Sequence, residues 1–287
     1  TSLFMRPIFS QAKAAKQRII LAEGEENKAL HATQEVISMG LANPILIGRR
    51  SVIEEKIKKL GLRLTAGVDF EIVDNEDNPR YEECWKHYYE LTKRKGITPA
   101  IAKRVVRSNT TVLASTLLSL GYADALVCGL FGSYGKHLAS IRDIIGLKDG
   151  VKTAAALNSL VLPTGNVFLT DTHVNSNPTT EELAEITLMA AEEIHRFGIE
   201  PAVALLSHSN FGSSNSLGAP KMREVLQIVK ERNPHLMIDG EMRGDLAMNE
   251  AHRKEVMPDS PLKGSANLLV FPDLSSSRIS YSLLRGT

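Results

Sequence analysis

Cysteine, aromatic side chains, long apolar runs and an excess of charge of either sign are all scarce in this sequence. Its 287 residues contain two cysteines, Cys84 and Cys128, too far apart for metal-ligand or disulfide spacing. That excludes a cysteine-stapled secreted scaffold and predicts a reducing, cytoplasmic location. Aromatic residues make up 5%, and 34 Lys and Arg face 33 Asp and Glu, so neither base stacking nor electrostatics argues for a nucleic-acid partner. No stretch approaches the roughly 20 apolar residues that span a bilayer, and no membrane partner is expected. The start, Thr1-Ser-Leu-Phe-Met-Arg-Pro7, has no signal-peptide core and reads as the interior of a longer chain. Leu283-Leu-Arg-Gly-Thr287 stops directly after a helical pattern.

What is present is an ordinary globular composition, 43% hydrophobic and 23% charged, enough for a large core and, at this length, two domains. The chain is organised around Val203-Ala-Leu-Leu-Ser-His-Ser-Asn-Phe-Gly-Ser-Ser214. Val203 to Leu206 predict a strand covered on both faces, because four consecutive apolar residues leave no solvent-facing alternation. Ser207 to Ser214 then crowd hydroxyls, an amide and an imidazole at its carboxyl end, where ligands bind in open α/β sheets. Lys221 to Arg232 carry Met222, Val225, Leu226 and Val229 at helical spacing.

The first half repeats one grammar. Ile19–Ala22, Pro44–Gly48 and Phe70–Val73 read as strands, separated by helices over Asn27–Met39 and Val52–Leu60, which is the order of a parallel sheet with crossover helices. Leu30, Ala32, Val36 and Ile37 form the predicted inner face of the first of these helices. Helical patterns follow over Tyr81–Lys95 and from Pro99 to Leu120, then a strand at Asp124–Cys128, a loop with Gly129, Gly132 and Gly135, and a helix over His137–Ile145. Those glycines match neither the P-loop nor the dinucleotide spacing, so a phosphate loop and a plain turn both remain open. Gly146–Gly150 is the predicted boundary between an α/β domain over residues 1–147, read as lacking its final part, and a second over 148–287. The second contains strands at Val167–Thr170 and Ala266–Phe271 and a helix capped by Thr179 or Thr180 and ended by Gly198.

Several constellations carry candidate chemistry. Ser207, His208 and Asp239 are the residue types of a catalytic triad, but adjacent Ser and His on a strand end point apart and no nucleophile elbow surrounds them. Asp239, Glu241 and Asp245 offer oxygen ligands to a divalent cation, or a turn in which Asp239 holds backbone. His137 and His173 stand alone and read as hydrogen-bonded structural histidines. Lys136, His137 and Arg142 follow the glycine loop at a helix start, suited to an anion, or, for Arg142, to a surface pair with an acid such as Asp143.

Glu23-Gly-Glu25, Gly121-x-Ala-Asp124, Leu206-Ser-x-Ser-x-x-Gly-Ser213, Asp239-Gly-Glu-x-x-Gly-Asp245 and Ala266-Asn-x-x-x-Phe-Pro272 together resemble the phosphate acetyl/butyryltransferase family, in order and from about Pro7 onward. The resemblance implies two three-layer α/β domains around a cleft that binds coenzyme A, similar to the isocitrate/isopropylmalate dehydrogenase type of fold. Active members carry a His-Ser/Thr-Thr-Ala-Asp stretch where Leu130 to His137 stand here, a lysine in place of Phe211, and a later Ser-Arg motif outside this sequence.

Pro7-Ile-Phe-Ser-Gln-Ala-Lys13, Ala66-Gly-Val-Asp-Phe-Glu-Ile72, Asp171-Thr-His-Val-Asn175 and Glu185-Ile-Thr-Leu-Met-Ala-Ala-Glu192 are similar to the C-terminal module of large bacterial NADP-dependent malic enzymes. That resemblance implies oxidative decarboxylation of malate by a separate N-terminal malic domain with NADP and a divalent metal, Mg or Mn. It implies no catalytic residue in this chain. The module itself would bind acetyl-CoA as an effector and hold a homo-oligomer together. The residues expected to line the acetyl-CoA site are Ser133, Lys136, His137 and Arg142 from the first domain, with Asn175, Ser207, Ser209 and Asn210 from the second. An active acetyltransferase and a pure assembly module with a vestigial cleft are the alternatives.

Overall fold

A computed structural model describes residues 5–162, 165–216 and 218–286. Residues 1–4 and 287, part of the terminal stretches noted above, lie outside the described residues. The chain divides into two compact units, one ending at Gly146 and the other beginning at Leu147.

In the first unit the order is α1 (Met5–Ala14), β1 (Gln17–Leu21), α2 (Asn27–Ser38), β2 (Ala42–Ile47), α3 (Arg50–Lys59), β3 (Glu71–Val73), α4 (Tyr81–Thr92), a 3-10 turn (Lys93–Lys95), α5 (Pro99–Ser108), α6 (Thr110–Ser119), β4 (Ala125–Val127) and α7 (Tyr134–Ile144). The four strands are parallel in the order β3-β2-β1-β4. Period-two alternation splits their side chains between two cores. Ile20, Ile45, Ile47 and Val73 pack with Cys84, Val106, Leu113 and Ile144 from α4 to α7. Leu46 packs on the other face with Leu30 of α2 and Ile53 and Ile57 of α3. Helices therefore cover both faces, which is why β2 tolerates the run Ile45-Leu-Ile47.

Two local expectations change. Ala32 is exposed and Thr33 takes its place inside, because the buried Thr33 hydroxyl donates 2.8 Å to the Ala29 carbonyl and so carries no unpaired polar group into the core. The pattern from Pro99 to Leu120 is two helices rather than one. Asn109 is extended (φ −118°, ψ 104°), ends α5, and caps α6 by accepting from the Val112 N–H.

The second unit runs β5 (Leu157–Leu162), β6 (Gly165–Thr170), α8 (Thr180–Arg196), β7 (Ala202–Leu206), α9 (Ala219–Arg232), β8 (Met237–Met242), α10 (Gly244–Met248), α11 (Glu250–Val256), β9 (Leu268–Val270) and α12 (Leu274–Gly286). Its sheet has the order β5-β6-β9-β7-β8, with β5 antiparallel and the remaining strands parallel. Every residue of β7 is buried, as the unbroken apolar run predicts. Ala202, Ala204 and Leu206 face a core shared with Leu246 of α10 and Tyr281 of α12, while α8 and α9 lie against the sheet through residues such as Leu183, Ile186, Met222 and Val225. Thr179, one of the two residues expected to cap α8, closes a full capping box with Glu182.

Arg253 on α11 is wholly buried, and its guanidinium donates to the carbonyls of Leu246, Ala247, Leu262 and Gly264. It fastens the ends of α10 and α11 to the segment leading into β9. Nothing in the charged pattern Glu250 to Glu255 distinguishes this arginine from its exposed neighbours.

Candidate functional site

In the first unit the chain winds outward from β1 through β2 to β3, then returns to add β4 on the other side of β1. Ligand crevices in such sheets open outside the carboxyl ends of the two strands that flank this reversal. The loops after β1 and β4 are tied together there: Ala22 donates its N–H to the Val127 carbonyl at 3.0 Å, and Gly129 donates to Glu23 Oε1 at 2.9 Å. Gly129 has φ +105°, a conformation that favours glycine at this turn.

A groove of about 620 Å³ lies at this point, with Glu23, Thr110, Thr111, Ser133, Lys136 and His137 among its walls. Two helices of ten and eleven residues, α6 and α7, begin on it. Their starts are joined through His137, whose Nδ1 lies 2.9 Å from the Thr111 hydroxyl and whose Nε2 lies 2.7 Å from the Phe131 carbonyl. His137 is thus a hydrogen-bonded strut, as its isolation in sequence suggested. Ser133 is the N-cap of α7; its side chain makes no capping bond, and its carbonyl accepts from the Lys136 and His137 N–H groups at 3.1 and 3.3 Å, at the positive end of the helix dipole.

Arg142 departs from expectation. It sits in the last turn of α7, nine residues beyond Ser133. At the helical rise this is about 13 Å along the axis from the start, at the negative end of the helix dipole. It is exposed, and its expected partner Asp143 pairs with Lys95 at 2.5 Å instead.

In the second unit the carboxyl ends of β6, β9, β7 and β8 share one edge, because these strands are parallel. The loop after β7 is built on Glu241 of β8. The Glu241 Oε1 atom accepts from the Ser209 hydroxyl at 2.8 Å, the Gly212 N–H at 2.9 Å and the Arg223 guanidinium at 2.8 Å. Ser209 also accepts from the Ser214 N–H at 2.9 Å and lies 3.1 Å from the Ser213 hydroxyl. Asn210 Oδ1 accepts from the Arg243 N–H at 2.9 Å. Phe211, where active relatives were said to carry lysine, has φ +48°, donates its N–H to the Glu241 carbonyl and packs against the apolar core.

Buried Ser209 and half-buried Asn210 therefore hold the loop together, while Ser207 and His208 stand at its rim. The Ser207 hydroxyl is 3.4 Å from His208 Nδ1, and the Ser214 and Ser216 hydroxyls lie 3.2 and 3.3 Å from His208 Nε2. Asp239 does not stand behind this imidazole. Its carboxylate accepts from the Gly240 N–H at 2.9 Å and the Ser260 hydroxyl at 2.6 Å, which is the backbone-holding role rather than a triad. Asp245 pairs with Arg243, so Asp239, Glu241 and Asp245 each point to different partners. Among the described residues no His, Cys, Asp and Glu group of three is placed to hold a metal ion.

Asn175 belongs to a third loop, after β6. Its amide donates to the Ala154 carbonyl at 2.8 Å and to Asp171 at 2.6 Å, and Asp171 also accepts the N–H groups of Ala156, His173, Val174 and Asn175. Burial and the neighbouring Arg278 push His173 below its usual pKa, favouring a neutral ring against Tyr281. The expected site residues thus fall into two groups, each within its own unit: Ser133, Lys136 and His137 on one groove, and Asn175, Ser207, Ser209 and Asn210 on adjoining loops of the second sheet. Sequence reasoning missed Thr111 and Arg223, placed Glu23 only within a motif, and offered Glu241 as a cation ligand rather than as the anchor of the loop.

One parallel and one mostly parallel sheet, with helices packed on them and loops gathered at the strand ends, define an α/β protein of two units. The chain belongs to the Phosphate acetyl/butaryl transferase family, whose model matches residues 3–287. A phosphotransacetylase structure from Streptococcus pyogenes superposes with a TM-score of 0.89 at 27% identity, covering 100% of this chain and 87% of that one. A phosphate acetyltransferase of Clostridium acetobutylicum is 36% identical over 97% of this chain and 84% of its own length. The NADP-dependent malic enzyme of Haemophilus influenzae is 98% identical over the whole chain, which spans 38% of that protein. The sequence thus corresponds to the phosphotransacetylase-like part of such a longer polypeptide.

Proposed function

We propose that this chain is the effector-binding and assembly module of a malic enzyme and that its effector is acetyl-CoA. The observation that carries the reading is the start of α7 and the Lys136 side chain on one groove at the reversal point of the first sheet. The positive end of a helix dipole with an adjacent ammonium suits a phosphate group, and the coenzyme A moiety carries three. The 98% identity to a malic enzyme supports the setting: an oxidative decarboxylation of malate by a separate malic domain with NADP and Mg or Mn, in a cytoplasmic homo-oligomer. No helix among the described residues is long and apolar enough to cross a membrane. Two three-layer units support the isocitrate/isopropylmalate dehydrogenase type of fold.

Hydroxyl chemistry argues for binding rather than acyl transfer. Ser209 is committed to Glu241, and the histidine beside Ser207 has serines, not a carboxylate, on its far nitrogen. An effector changes activity only through unequal affinity for two states of the whole enzyme, typically about 1 to 3 kcal/mol of coupling. The second reading, an active acetyltransferase, is favoured by the 36% identity to a phosphate acetyltransferase over most of its length.

Calorimetric titration with acetyl-CoA tests the first reading. Saturable binding is expected, weakened about tenfold by Lys136→Gln, the loss of one charge-assisted phosphate contact. Arg142→Gln, at the far end of α7, is expected to leave affinity nearly unchanged. Formation of acetyl-CoA from acetyl phosphate and CoA by the same sample would overturn the choice in favour of the transferase.

A further inference from the structure

A second groove of the first unit, about 910 Å³, lies between α4 and α5 and is lined by Tyr81, Trp85, Lys103, Arg104 and Arg107. Lys103 and Arg107 are separated by one helical turn, an arrangement in which like charges repel. Neither they nor Arg104 forms an ion pair among the described residues. Two of the three cations are instead parked on aromatic rings. The Lys103 ammonium lies 4.6 Å from the centre of the Trp85 ring, and the Arg107 guanidinium lies 4.5 Å from that of Tyr81. The rings are themselves anchored: Tyr81 donates its hydroxyl to the Lys103 carbonyl at 2.9 Å, and Trp85 packs on the core. Of the two acids on the walls, Glu82 is paired with Lys86 at 2.7 Å and also lies in the field of Lys103, and Glu76 adds to the field around Arg49.

We propose that this face binds the di- or triphosphate group of a nucleotide, with Lys103, Arg104 and Arg107 as its cations. Stacking on the rings holds two long side chains in place beforehand, which lowers the ordering cost of closing them on a polyanion. A diphosphate has enough charge to span a helical turn, and its negative charge beside the stacked Lys103 alters the field at the indole as it binds. This site is separate from the Lys136 groove and does not depend on the reading given above.

Trp85 is the sole tryptophan, so its emission reports this groove alone. Titration of the whole chain with ADP, at constant ionic strength, is expected to give a saturable change in emission. Lys103→Gln with Arg107→Gln should raise the half-saturation concentration at least tenfold, with helical circular dichroism retained, whereas Lys136→Gln should leave it unchanged. Acetyl-CoA distinguishes the source of the diphosphate: competition with ADP at Trp85 that survives Lys136→Gln means that its nucleotide end occupies this face too. No emission change with ADP, an equal change with sulfate at the same ionic strength, or an unaltered response in the double variant would each overturn the proposal.

Discussion

The carboxylate of Glu241 on β8 meets the guanidinium of Arg223 on α9 at 2.8 Å, with Glu241 wholly buried and Arg223 at 30% exposure. Through this pair the strand, the helix that precedes it and the Ser209–Gly212 turn share one oxygen atom.

Removing that carboxylate strands three donors at once. Glu241→Ala is expected to cost about 3 to 5 kcal/mol, the range for breaking a buried pair by deleting one partner. Urea unfolding measures it. Glu241→Gln, which still accepts from Ser209 and Gly212, should cost less, and equal losses would mean that the charge of Arg223 is what matters.

Gly240, next to Glu241, has φ +147°, and a Cβ there would lie 2.6 Å from the Leu205 carbonyl oxygen and 2.7 Å from its Cβ. Both neighbours belong to the buried centre of β7, which has nowhere to retreat. Gly240→Ala should destabilise by about 3 kcal/mol or prevent soluble expression, an overpacking cost at the high end of its range. Gly244→Ala, with open space around it, is the control and should stay within about 0.5 kcal/mol.

Thr179→Ala breaks the capping box at the start of α8, leaving the Glu182 N–H without its acceptor. The expected loss is about 1 kcal/mol in thermal or urea unfolding. Thr180→Ala lies inside the helix and should have a smaller effect.

Asp124 gives an acid dependence. The Arg18 side chain and then its backbone N–H, both donating to the carboxylate, hold its pKa down at about 2. A carboxyl group depressed in the folded state adds stability above its unfolded pKa, and that stability is lost as pH falls from about 4 toward 2. The midpoint of thermal unfolding should therefore fall less steeply across that window in Asp124→Asn than in the unaltered chain. The pair is largely exposed, so salt should shrink the difference.

Much of the order of strands and helices was legible because the apolar runs at Ile19, Ile45 and Val203 have no solvent-facing alternation, whereas α1, β5, β8, α10 and α11 were not read. Gly40, Gly121 and Gly198 then mark the ends of helices in their left-handed conformation. The candidate loops were legible for the same reason: an apolar strand that stops in Ser207-His-Ser-Asn210 must end at the sheet edge. Which of those polar residues face a ligand and which serve the loop was not legible. Ser207 and Ser209 are alike in sequence, and only the approach of Glu241 from the neighbouring strand makes one a rim hydroxyl and the other a buried tie. Arg142 shows the same limit in a helix, where a residue assigned to the start lies two turns away once the first turn is placed at Tyr134.

The sequence alone thus determined periodicity, turn chemistry and family, since each rests on local backbone preference and on ordered motifs within short windows. Tertiary structure decided partnership. Contacts between residues more than a hundred positions apart, such as Glu23 with Gly129 or Arg18 with Asp124, depend on strand order in the sheet. That order is set by how the crossover helices pack over both faces, a property of the whole fold.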